Sequence, residues 1–216
     1  MVSIAIQVDV PISCFRQSRA REYAQTYPVP PPSTVYGMLL SIVGEMNRFR
    51  HQGVKLAIAM QSQPLKSTVI RTFRRFKKQE ISDPTNARPD YQELLTDIQF
   101  IVWIDSTDDV SQLKLTERLR SAFANPATVD RFGGLCLGES RDLVNSATIL
   151  PEQDDRQQRS LPLCWLIQME DGLLTLPYWV DHVGSQGTRW RRYLLQSPIT
   201  DKWEPPTLAW TKIQPD

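Results

Sequence analysis

Cysteine and histidine are scarce in this 216-residue chain, and their scarcity excludes several chemistries. The three cysteines, Cys14, Cys136 and Cys164, are isolated and odd in number, so they build no disulfide framework and fit a reducing compartment. The two histidines, His51 and His182, share no metal-ligand spacing with those cysteines, and neither a metal nor a cofactor is expected. There is no phosphate-binding P-loop and no nucleophile elbow. Long apolar runs are also missing. The best candidate, residues 35–43, is broken by Gly37 and Ser41, which argues against a transmembrane helix and a membrane partner. The first ten residues carry no basic segment and reach an acid at Asp9, so no signal peptide is expected and the cytoplasm is the expected compartment.

Net charge is nearly absent too, at +1, but its distribution is uneven. Residues 1–80 hold 12 lysines and arginines against 4 acids, whereas residues 81–216 hold 13 against 20. Such a split suits a polyanion on one face and a protein partner on another, unless the two halves fold together and average their fields. At 41% hydrophobic residues the chain suffices for one sizeable domain.

Residues 2–10 alternate, with Ile4, Ile6, Val8 and Val10 on one face of a half-buried strand. An arginine-bearing loop and a proline-rich connector follow. A helix then starts, capped by Ser33 or Thr34, with Val35, Leu39, Ile42, Val43 and Met46 on its buried stripe. Residues 54–61 and 66–76 read as strands, residues 79–93 as an irregular polar tip, and residues 98–104 as the most strand-like stretch, rich in β-branched and aromatic side chains. Asp108 and Asp109 lead into a second helix with Leu115, Leu119, Ala122 and Phe123 buried, ended by Pro126. Residues 131–138 form a glycine-rich turn feeding a short strand, with residues 144–150 as its partner. Residues 161–169 make a last core strand, and the tail from Leu173 shows no clear period. The order βαββ, hairpin, βαβ predicts an α+β, ferredoxin-like fold. Residues 1–150 form the main domain, with a hairpin over about 66–104, and residues 151–216 form a β-rich extension packed on it. Helices on one face would leave the other face of the sheet open to RNA.

Four clusters carry candidate chemistry. Arg71, Phe73, Arg74, Arg75, Phe76, Lys77 and Lys78 place five cations and two aromatics within eight residues. On an extended ribbon each face then offers guanidinium to phosphate and a ring to an unstacked base, although an edge strand guarded by charge would look the same. Arg16, Arg19, Arg21, Tyr23 and Tyr27 lead to the amides of the first helix terminus, either an anion site or a surface loop with incidental arginines. Gly133 and Gly134 permit close backbone approach or make an ordinary tight turn. Trp190, Arg191, Arg192 and Tyr193 fit a partner surface or a core edge equally well.

Residues 15–45, and above all YPVPPPSTVYGMLLSIVGE over residues 27–45, closely resemble the N-terminal signature of the fifth Cas protein family, subunits of Type I CRISPR surveillance (Cascade) complexes. The likeness extends loosely to residues 71–78 and 133–138 and fades after about residue 150. It implies a RAMP-type subunit with a ferredoxin-like core and a protruding β-hairpin thumb. Such a subunit caps the 5′ handle of crRNA and docks against the large subunit, near PAM-proximal target DNA, and against the terminal backbone subunit. The complex serves antiviral defence or RNA-guided transposition. Carried over, the arginine loop, the helix start with Ser33, Thr34 and Tyr36, the residue 71–78 thumb and Gly133–Gly134 become RNA-binding candidates, and the acidic C-terminal half a docking surface. One branch of the family cuts pre-crRNA without metal, which would call on His51 with Lys55, or His182, near Tyr23 as acid and base. Neither histidine lies in a matched motif, so a non-catalytic binder is expected, with a pure scaffold as a third reading.

Overall fold

Alternation in β1 (Ser3–Ser13) sets the face of the whole structure, because Ile4, Ile6, Val8 and Val10 are all buried while the intervening residues are not. The computed structural model describes residues 3–20, 22–74, 80, 82–151, 164–183, 186–197 and 203–215. After β1 come the two-residue β2 (Tyr23–Ala24), helix α1 (Pro32–Ile42), β3 (Lys55–Met60) and β4 (Leu65–Arg74). The 19-residue β5 (Ala87–Asp105), helix α2 (Leu115–Ala124) and β6 (Ser146–Ile149) follow. The chain continues through β7 (Cys164–Gln168), β8 (Leu174–Trp179), β9 (Arg189–Gln196) and β10 (Thr211–Lys212). This is an α+β protein built on a mostly antiparallel sheet in the order β6-β1-β5-β3-β7-β9-β8.

Strand β5 serves two partners in succession. Its second half lies between β1 and β3, with Val8 opposite Phe100 and Ile58 opposite Val102. Its first half pairs with β4, from Leu65–Thr96 out to Arg74–Ala87, and takes β2 as a short parallel neighbour at Tyr91 and Gln92. The polar stretch expected to be irregular is therefore partly strand. After a 3₁₀ turn at Pro84–Asn86, β5 begins at once, because backbone pairing with β4 outweighs the poor strand propensity of residues 88–90.

Both helices cover one face. Ile98, Phe100, Val102 and Ile104 of β5 point into a core with Val35, Leu39 and Ile42 of α1 and Leu115 and Leu119 of α2. Each such fully buried aliphatic side chain contributes roughly 1.5–3 kcal/mol. The cap of α1 differs from expectation. Pro31 is the N-cap and Pro32 the first helical residue, with no side-chain cap, because proline's fixed φ presets the helix and its missing N–H needs no partner. At α2 the Asp109 carboxylate accepts the Leu115 N–H at 2.8 Å and the Ser111 N–H at 2.9 Å, which is the expected acid at a helix start. Gly44, past the end of α1 at φ +65°, leaves room for the Asp130 carbonyl, which a Cβ there would strike.

The opposite face of the sheet is closed, contrary to the expectation of a surface open to RNA. Ala57, Ala59, Ile101, Trp103, Trp165 and Ile167 face a second apolar cluster completed by Trp203 and Ala209 from the C-terminal segment. Trp103 packs against Trp165 at 4.8 Å with planes tilted by 38° and meets Trp203 edge-on at 5.6 Å. Small residues on β3 make space for these indoles, and β10 ties the segment down by pairing Thr211 with Leu56. One further expectation fails. Residues 131–138 form no strand with 144–150; a single bridge links Cys136 to Leu143, and β6 pairs with β1. The C-terminal region is β-rich as expected, and its tail, where no period was visible, forms a β8–β9 hairpin that extends the sheet beyond β7.

Candidate nucleic-acid interface

The arginine loop is a closed structure, not a slack connector. Gln17 donates to the Gln25 carbonyl at 2.9 Å, Tyr27 to the Phe15 carbonyl at 2.8 Å, and Arg16 bridges Thr26. Its base is clamped to β5 by Glu93, whose carboxylate accepts the Thr26 N–H at 3.0 Å and the Lys66 ammonium at 2.9 Å. Burial opposes ionisation of Glu93, but these donors hold its carboxyl below the usual range. A second clamp sits on the end of β1. Asp142 accepts from the Cys14 and Glu139 amides, each at 2.9 Å, and pins residues 137–142 beside the loop. Gly138 is required there. At φ +109° any Cβ would collide with the Ser13 hydroxyl, the Asp142 carboxylate and the Cys14 carbonyl.

Between these clamped segments lies a cleft of about 680 Å³. Arg16, Ser18 and Tyr27 come from the loop, Ser33 and Thr34 from the start of α1, Gly138 and Glu139 from the pinned segment, and Pro177, Asp181 and Trp190 from the β8–β9 hairpin. A smaller neighbouring hollow of about 390 Å³ shares Ser18, Tyr27 and Trp190 and adds Arg19. Guanidinium groups, hydroxyls and the Trp190 indole thus converge, a set that can hold a phosphate and stack a base. The helix terminus adds little, because Pro31 and Pro32 lack an N–H and the Thr34 and Val35 amides bond the Pro31 carbonyl. Its two acids are already engaged: Glu139 pairs with Arg141, and Asp181 accepts the Val183 and Gly187 amides, which hold its carboxyl below the usual range. Burial pushes the Tyr27 phenol up, so it stays a neutral donor.

Among the sequence-predicted residues, Arg16, Arg19, Tyr27, Ser33 and Thr34 meet in this region. Tyr23 lies on β2, away from the cleft lining. Tyr36 belongs to the core: it is 1% exposed, donates its hydroxyl proton to the Arg48 carbonyl at 2.9 Å and packs against Trp179, so it offers no surface to a ligand. Gly133 and Gly134 sit on an exposed loop outside the cleft lining. Arg71 is half-buried on β4 opposite Asp90, and Phe73 and Arg74 continue that strand. Arg21, Arg75, Phe76, Lys77 and Lys78 lie outside the described residues, as do the side chains of Phe73 and Arg74. Trp190 is the cleft residue that the sequence marked but did not place. Alternation along β9 turns Trp190 outward, while Tyr193 enters the core and bonds Thr211.

His51 is fully buried. Its Nδ1 faces Asp109 Oδ2 at 2.9 Å and its Nε2 faces an Arg118 guanidinium N–H at 2.9 Å. A guanidinium only donates, so Nε2 accepts and Nδ1 carries the proton given to Asp109. Arg118 also donates to Glu45 at 2.6 Å and to the Val43 carbonyl at 3.0 Å, fastening α2 to the end of α1. The ring is an internal strut out of contact with the cleft. Lys55 is committed to Asp108 at 2.8 Å. Among the described residues no group of three His, Cys, Asp or Glu side chains is placed to hold a metal, and no helix is long and apolar enough to cross a membrane.

Fold and cleft together define an α+β protein with a mostly antiparallel sheet and a polar, aromatic-lined cleft that presents Arg16 and, in the adjoining hollow, Arg19. Residues 3–177 match the family model described as CRISPR-associated protein (Cas_Cas5). The CRISPR-associated protein Cas5 of Myxococcus xanthus (strain DK1622) is 43% identical over 191 residues, 87% of each chain. The chain belongs to the CRISPR-associated Cas5 family. Its fold is shared by a chain of a CRISPR RNA-guided surveillance complex, with a TM-score of 0.64 at 14% identity over 90% of this chain and 89% of that one. A crystal structure of a Cas protein aligns with a TM-score of 0.49 at 16% identity over 90% of this chain and 94% of that one.

Proposed function

We propose that this chain is the non-catalytic subunit that grips the 5′ handle of crRNA in a Type I CRISPR surveillance complex, with the cleft as its principal RNA site. The observation that carries this reading is the convergence of Arg16, Tyr27, Ser33 and Thr34 on Trp190 from the far end of the chain. The sheet order β6-β1-β5-β3 with two helices on one face supports a ferredoxin-like core, and the β4–β5 pair acts as its thumb. The acidic residues after position 80 dock the large subunit and the terminal backbone subunit, leaving the basic side for guide RNA and PAM-proximal DNA.

Labelled repeat–spacer RNA in EDTA, followed on a denaturing gel and by filter binding, tests this reading with intact and handle-deleted guides. Retention that depends on the handle, without cutting, is expected. Arg16→Ala and Arg19→Ala should each weaken retention by about 1.5–3 kcal/mol, the value of a charge-assisted contact, and flatten its salt dependence. Trp190→Ala should weaken it too, and Trp190→Phe, which keeps a ring on this partly buried side chain, should restore most of the loss. Unchanged affinity in all three alanine variants would sink the cleft assignment. Specific cutting that is lost in His182→Ala, beside Asp181 at the cleft, would make the protein a metal-independent endoribonuclease instead.

A further inference from the structure

Tyr23 was expected among the cleft residues, yet its ring joins a different surface. In the sheet register it lies opposite Tyr91, and Tyr91 lies opposite Ile70, so one row of side chains crosses β2, β5 and β4 on a single face. All three are exposed, at 38%, 47% and 66%. The phenol rings stand 6.1 Å apart with planes tilted by 35°. Two interstrand spacings of about 4.8 Å give the row a length of roughly 10 Å.

The row has a polar margin on its own face. Thr68 and Glu93 lie two residues along from Ile70 and Tyr91, and the Tyr23 hydroxyl reaches Glu93 at 3.3 Å and Thr68 at 3.4 Å. Lys66 pairs with the same carboxylate and remains half in solvent. The Tyr91 amide donates to the Glu22 carbonyl at 3.1 Å, so the backbone beneath both rings is held. A rigid aromatic face bordered by the Thr68 hydroxyl and the Lys66 ammonium, the latter held by the buried Glu93, offers stacking to a ring and donors to a polar edge.

Position favours a nucleobase as the occupant. Tyr23 belongs to the closed loop that also presents Arg16, Arg19 and Tyr27 to the cleft, so a strand leaving the cleft along that loop arrives at the row. We propose that Tyr23, Tyr91 and Ile70 form a stacking platform for one unpaired base of the guide RNA, next in line after the nucleotides in the cleft. This inference rests on the RNA-binding reading above and assigns Tyr91 and Ile70 a role that the basic clusters did not suggest.

The test uses the full chain assembled with its complex subunits and handle-containing RNA carrying 2-aminopurine at each position in turn. Wild-type protein should quench the probe at one unpaired position that the cleft variant Trp190→Ala still quenches. Tyr91→Ala should abolish that quench and weaken binding roughly 5- to 150-fold, the range spanned by loss of one base–aromatic stack. Tyr91→Trp should restore both and controls for folding. If Tyr91→Ala keeps the quench and binds within twofold of wild type, the platform is wrong while the cleft reading stands. Failure of the wild-type assembly to retain guide RNA through this chain would overturn both.

Discussion

Replacing Arg118 by methionine keeps the aliphatic stem but removes three hydrogen bonds that tie α2 to the end of α1. The His51 ring, fully buried, loses the donor to its Nε2, and an orphaned buried acceptor costs about 1–3 kcal/mol. The Val43 carbonyl loses a part-buried bond worth about 0.5–1.5 kcal/mol. Glu45 retains the Arg50 guanidinium at 3.0 Å and the Asn47 amide at 2.9 Å, so its carboxylate is weakened but not stranded. The total is about 2–5 kcal/mol, in line with breaking a buried ion pair. With a urea m-value of about 2 kcal/mol/M, the unfolding midpoint should fall by about 1–2.5 M. Equilibrium urea titration of Arg118→Met, Glu45→Gln and the double variant measures this, with a coupling of about 0.5–3 kcal/mol expected between the two sites. A midpoint within 0.25 M of wild type, about 0.5 kcal/mol, would mean that the His51–Arg118–Glu45 contacts add nothing beyond a surface pair and would refute the argument.

Three further outcomes follow from the same structure. Burial alone would raise the Asp109 and Glu45 carboxyls, but the His51 ring with the Ser111 and Leu115 amides at one, and Arg118 at the other, hold both below their ordinary range. The unfolded chain therefore binds these protons first, and stability should be complete above about pH 4.3 and decline as pH falls below it, more steeply in wild type than in Asp109→Asn, by urea midpoints at pH 3 and pH 6. Gly138→Ala should destabilise by more than about 1 kcal/mol and weaken RNA retention as well, since the same collision displaces the cleft wall. A stable Gly138→Ala variant with full affinity would contradict that account. Trp203→Ala should cost about 3–5 kcal/mol and flatten the near-ultraviolet circular dichroism of the indole cluster. A change under 1 kcal/mol would show that the second face of the sheet needs no cover.

What the sequence revealed follows the range of the interactions involved. Strand β1 and the second half of β5 were readable because alternation or β-branched residues record burial locally. The first half of β5 was not. Arg88, Pro89 and Asp90 belong to a strand only because β4 lies beside them, a tertiary cause that no local propensity carries. The β8–β9 hairpin escaped for a similar reason, since Pro177 interrupts one strand at a register shift and arginines crowd the other. The closing of the second sheet face depends on Trp203 meeting Trp103 across the chain, and nothing near either residue announces the other. The grouping of Arg16, Arg19, Tyr27, Ser33 and Thr34 was legible because all of them lie in the stretch that leads to one helix start. Tyr36 was misplaced because a tyrosine in a signature motif looks the same whether it faces a ligand or the core.

One consequence of the shared strand concerns leverage. At about 3.3 Å per residue, the ten residues of β5 paired with β4 extend roughly 33 Å from their root in the core sheet. Strand pairing from β2 braces this arm only as far as Tyr91, and beyond it the Arg88–Glu22 ion pair is a further tie to the same segment. A tilt of ~5° at the root, small beside the ordinary spread of twist between neighbouring strands, would carry the outer end through ~3 Å. Because one segment supplies both core and arm, with Asp97 at φ +57° marking the root between them, a small adjustment at that root is delivered at the far end as a displacement the width of a hydrogen bond.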